Sequence, residues 1–166
     1  MDSDYYHHPR RLPKNAAGPF YTTGYQTRET DATDGAFVWC GDCMQCEAPE
    51  AEAPELLAPL DGDNIDTYFL KQPSSQSEIA HACMAARVCC VSALRYGGRD
   101  QSIIQLLQND PEMCDNIVGG DGQLVMTVDA DGDLLPFAKH IVETHHEELR
   151  RKHQLRKKKW WQFWKS

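Results

Sequence analysis

The 166-residue sequence predicts an α+β domain, in which short antiparallel strands and two packed helices are followed by another strand and a long C-terminal helix. Three observations carry that expectation. Short β-branched and aromatic runs are punctuated by Gly and Pro, as in Gly18-Pro19-Phe20-Tyr21-Thr22-Thr23-Gly24. Apolar residues recur at helical spacing behind a capping signature, Ser75-Gln76-Ser77-Glu78. From Leu134 a long helical pattern begins, with Phe137, Ile141 and Leu149 on one side. The length suits one domain with a core and appendages.

Taken in order, residues 1–17 are polar and show no period, so a flexible arm is expected. Its His7-His8 pair has no metal-ligand partner in sequence. Phe20–Thr23 reads as a first edge strand, and Tyr25–Gly35 as a polar, acidic insertion before Ala36-Phe37-Val38-Trp39 leads into the first cysteine. Ala and Glu after Cys46 favour a short helix that Pro54 must end. Asp61-Gly62-Asp63-Asn64 signals a turn, and Thr67-Tyr68-Phe69-Leu70 a strand. A helix over 76–88 buries Ile79, Cys83 and Ala86, leaves His81 in solvent and delivers Cys89-Cys90, ahead of a strand over Val91–Tyr96. Asp100 caps a second helix with Ile103, Ile104 and Leu107 on its apolar face. Leu124–Val128 is a strand, and Asp129–Asp133 a turn whose glycine is misplaced for a calcium loop. Pro136 fits the first turn of the final helix, which carries Phe137, Ile141 and Leu149 on one side. The units expected are an arm (1–17), a main domain with a helical extension (18–118), a strand-and-helix appendage (119–149) and a basic tail (150–166).

The net charge of −8 is unevenly spread: no Lys or Arg occurs between Glu29 and Leu70, a stretch rich in Asp and Glu. Such a field repels nucleic acid and steers basic protein partners. The opening residues lack the basic and apolar regions of a secretory signal, which points to a cytoplasmic protein, and clustered thiols in a reducing compartment suit metal ligation better than disulfides. Neither a nucleophile–base pair nor a phosphate-cradling glycine loop is present, so no enzyme is expected.

Cys40, Cys43 and Cys46 follow one another at C-x2-C steps, and Cys89 returns after a helix. Thiolates so spaced can hold an iron–sulfur cluster or a zinc ion. The order of strand, cysteine loop, Ala53-Pro54-Glu55-Leu56, strand ending in Lys71-Gln72-Pro73, helix, and Cys89-x-Val91-x-Ala93-Leu94 resembles a divergent single-cluster bacterial-type ferredoxin over roughly residues 20–96. The resemblance implies a ferredoxin-like core and one 4Fe-4S or 3Fe-4S cluster, or a core from which the cluster has been lost. Two registers fit. With Ala53-Pro54 at the last loop cysteine and its proline, Cys43 and Cys46 are the first two ligands, Pro49 and Ala53 replace the others, and Cys40 substitutes from the preceding turn. With Cys40, Cys43 and Cys46 as the family's three, Glu50 falls at the fourth place. The first gives the longer match; Cys89 is the remote ligand in it, and Cys90 replaces the usual proline.

The expectation is an electron-transfer ferredoxin with Cys43, Cys46, Cys89 and Cys40 around the cluster and a basic redox partner on the acidic face. The alternative is a cluster-free or zinc-stabilised interaction module on the same core. Arg150-Arg151-Lys152 and Arg156–Lys159 precede Trp160-Trp161-Gln162-Phe163-Trp164, a combination suited to an anionic membrane surface, to a partner protein or to the chain's own acidic loop.

Overall fold

The computed structural model describes residues 4–29 and 35–164, with side chains through Lys158. Asp31 and Asp34 of the acidic run and the tryptophans of the tail lie outside the described residues and side chains. The fold is α+β, with small antiparallel sheets and helices. Strand β1 (Phe20–Thr22) pairs with β4 (Leu94–Tyr96), β2 (Gly24–Arg28) with β3 (Phe37–Gly41), and β5 (Asn116–Val118) with β6 (Leu124–Met126). The helices are α1 (Ala48–Glu52), α2 (Gln76–Val88), α3 (Gln101–Leu106) and α4 (Pro136–Trp164).

The core forms where α1, α2 and α3 pack on one another and on β4 and β5. Phe20, Leu56, Leu57, Phe69, Leu94, Tyr96 and Ile104 are buried there, and the Phe20 ring lies 4.8 Å from that of Tyr96 and 5.8 Å from that of Phe69. Small residues on α2, Ala82, Cys83, Ala85 and Ala86, let the helix sit close. Its capping box is complete: Ser75 Oγ accepts from the Glu78 amide, and the Glu78 carboxylate accepts from the Ser75 amide. Asp100 caps α3 by accepting from Ser102 N, and Ile103, Ile104 and Leu107 are buried.

The segment expected to be a free arm is docked instead. Leu12 is 0% exposed, and its amide donates to Thr22 O; Tyr6 N donates to Gly97 O. Asn15 knits three segments: its amide donates to Leu12 O and Thr22 O, while Oδ1 accepts from the amides of Thr22 and Phe69. Polar residues can be buried when every group is paired, and such pairing leaves no periodic trace in sequence.

Other differences are local. The expected acidic insertion contains β2, whose partner β3 carries Cys40, so Cys40 stands in a strand and not in a turn. The Arg28 guanidinium lies 5.5 Å from the Phe37 ring across this hairpin, which faces solvent. Thr67–Leu70 makes a single bridge, Leu57 to Phe69, because Pro54 and Pro59 flank the partner segment and cut the ladder short. The strand expected from Val91 begins at Leu94, since Ser92 takes a left-handed φ of 52°. The expected boundary between 118 and 119 falls inside the β5–β6 hairpin. On α4, Phe137, Ile141 and Leu149 are exposed, and every described side chain from Glu143 to Lys158 faces water. Among the described residues no helix is long and apolar enough to cross a membrane.

Candidate metal centre

The cysteine loop leaves β3 at Gly41 and enters α1 at Ala48. Asp66 pins its start: Oδ1 accepts from the Gly41 amide at 2.9 Å, and Oδ2 pairs with Lys14 Nζ at 2.7 Å. A Cβ at Gly41 would lie 2.9 Å from Asp66 Oδ1, so the approach needs glycine. Gln45 and Glu47 take left-handed φ values of 55° and 59°, which coil the loop tightly enough for the Gln45 amide to donate to Cys43 Sγ at 3.1 Å.

Cys43 lies on a short polar chain. Its thiol is 2.7 Å from Thr67 Oγ1, and the fully buried Thr67 hydroxyl in turn donates to Glu50 Oε1. The other Glu50 oxygen, Oε2, is shielded from solvent and has no hydrogen-bond partner.

Cys89 caps the end of α2, where the Ala93 amide donates to its sulfur at 3.3 Å. The Cys90 thiol is pushed above its ordinary value, first by loss of hydration, then by its hydrogen bond to Cys46 and by the charges of Cys46 and Cys89. The loop and the far end of α2 therefore approach each other at Cys46 and Cys90, both of them exposed. Among the described residues no three His, Cys, Asp or Glu side chains stand close enough to hold a metal ion as they lie.

The remaining thiols belong to the core. Burial pushes Cys83 up to about 11 and Cys114 higher still, so both stay protonated and inert. Cys89 and Cys90 line an open cavity of about 340 Å³ together with Asp110, Glu112 and, from α4, His145 and His146. His146 Nε2 lies 3.1 Å from Glu112 Oε2. Sequence reasoning passed over Thr67 and this cavity, since neither has a local motif; only chain reversal brings them to the cysteines.

Thiols and one carboxylate are thus the donors on this side of the molecule. The thiols come from a loop and a helix end, two sulfurs accept backbone N–H bonds, and a buried carboxylate oxygen has no partner. Compared with protein families, with curated proteins and with solved structures, the chain matches none.

Proposed function

We propose that the chain is an electron carrier with a ferredoxin-like core, in which Cys43, Cys46 and Cys89 hold an iron–sulfur cluster and Cys40 is the candidate fourth ligand. One observation supports the reading: Cys46 of the loop interacts with Cys90, the residue after Cys89 at the end of α2 and 44 positions away in sequence. When bound, the cluster would supply exchange of single electrons. The chain's own contribution is to present thiolates and to aim the Gln45 and Ala93 amides at sulfur, which favours added negative charge.

Protein purified without oxygen should be brown and contain iron and acid-labile sulfide; Cys46→Ser or Cys89→Ser should lose both while keeping the far-UV circular dichroism of the parent. A colourless, zinc-bearing preparation would overturn the reading in favour of a zinc-stabilised interaction module.

Two surfaces would serve partners. The Lys- and Arg-free stretch from Glu29 to Leu70 suits a basic redox protein. The far part of α4 suits an anionic membrane surface, because Arg150, Arg151, Lys152, Arg156, Lys157 and Lys158 are exposed with no acidic residue among them. Vesicles containing anionic lipid should pellet the full chain at low salt, and replacing Arg150, Arg151, Lys157 and Lys158 by Glu should abolish this. Equal pelleting of both proteins would remove the membrane from the proposal.

A further inference from the structure

Of the seven cysteines only Cys46 and Cys90 are exposed, and these two are hydrogen-bonded to each other. The other five are engaged elsewhere. Cys83 and Cys114 are buried in the core, and Cys40 stands in the β2–β3 ladder opposite Tyr25. Cys43 lies against Thr67 Oγ1 and accepts from the Gln45 amide. Cys89 packs on the core at the end of α2, and its sulfur accepts from the Ala93 amide. The adjacent cysteines therefore divide: Cys89 turns to the core and Cys90 to solvent.

The two exposed thiols come from elements that are fastened together. Cys46 stands two residues before α1, Cys90 two residues after α2, and α1 packs on α2. His81 Nδ1 of α2 lies 2.5 Å from Glu55 Oε1, just beyond α1. Thiols in contact and open to solvent meet both demands of disulfide formation, proximity and access.

We propose that Cys46 and Cys90 are a reversible dithiol–disulfide pair, a redox modification site whose co-substrate is a small-molecule disulfide. One of the two sulfurs attacks the small disulfide, which releases one small thiol and leaves a mixed disulfide; the other sulfur then displaces the second small thiol. The chain loses two hydrogens as the Cys46–Cys90 bond forms, and the small disulfide gains them as its own S–S bond breaks. A bond so exposed is readily reversed by excess thiol. It closes a covalent ring around α1 and α2 and withholds Cys46 from any metal. The assignment does not rest on the cluster reading, because it concerns the chain without metal.

The test uses the full chain, stripped of metal with a chelator, reduced, and equilibrated without oxygen in mixtures of glutathione and glutathione disulfide. Free thiols are then alkylated and the peptides read by mass spectrometry. The parent should show a peptide carrying Cys46 joined to one carrying Cys90, and Cys43→Ser and Cys89→Ser should keep that link. Cys46→Ser and Cys90→Ser should lose it and carry glutathione on the thiol that remains. This adduct should need about tenfold or more glutathione disulfide than the link in the parent, whose second thiol is already in place. A parent that joins Cys89 to Cys90 or Cys43 to Cys46, carries only glutathione adducts, or stays fully reduced would overturn the pairing. A link that survives Cys90→Ser would do the same. Should a serine variant fail to fold, the linked peptides of the parent decide alone.

Discussion

Asp115 is 0% exposed, and its carboxylate is shared between Tyr21, whose hydroxyl donates at 2.6 Å, and Arg95, whose Nε and Nη2 both lie 2.9 Å from Oδ1. Arg95 spends its other donors on the carbonyls of Glu112 and Pro111. A pair like this adds little when whole, because both ions lose their water, but breaking it strands a buried charge. Arg95→Met should therefore cost about 3–5 kcal/mol in urea unfolding, and adding Asp115→Leu should recover part of that loss. His8 packs beside this group, its ring 5.6 Å from that of Tyr21. Its Nδ1 accepts from the Arg10 amide, and burial lowers its proton affinity, helped by Arg95 and Arg10 and opposed by Asp115 and the Gly132 backbone. The folded chain refuses a proton that the unfolded chain accepts, so this stabilisation is complete above the ordinary histidine value of about 6.5 and is lost as pH falls below it. The thermal midpoint should drop between pH 7.5 and 5.5, and His8→Gln should flatten the slope.

Helix α2 runs over Gln76–Val88, the span that its cap and apolar spacing predict, since every signal that defines it lies within a few residues of the backbone it shapes. Ser75→Ala should cost about 1 kcal/mol by removing the acceptor for the Glu78 amide. Bonds from Lys71 first and then from Ser74 hold the Glu78 carboxyl down to about 2, so the cap is fully present above the ordinary glutamate value and is lost only as pH falls toward 2; circular dichroism of α2 should follow that course. Strand β2 was illegible for the opposite reason: Tyr25 and Gln26 face water on both sides, no apolar alternation marks them, and the pairing is written in β3. The cysteine loop lies between these cases. C-x2-C spacing marked Cys43 and Cys46, but the anchor at Thr67 and the meeting of Cys46 with Cys90 depend on chain reversal that no local pattern encodes. The glycine that looked misplaced at 132 has a tertiary use: its φ is +80°, and a Cβ there would come within 2.5 Å of His8 Cε1.

For the whole molecule, the unforeseen feature is the lacing of residues 5–15 across both halves of the chain. Tyr6 Oη donates to Asp129 O, Arg10 donates to Gly132 O and pairs with Asp133, and Tyr5 bridges Gly98. These ties span 123 and 122 positions in sequence for the Tyr6 and Arg10 bonds. During synthesis on a ribosome Tyr6 and Arg10 emerge long before their acceptors exist, so this edge must wait, unsealed, until the turn at Asp129–Asp133 has left the exit tunnel. A nascent chain stalled before that turn would leave the segment around His8 open to a protease, and the finished one would hide it.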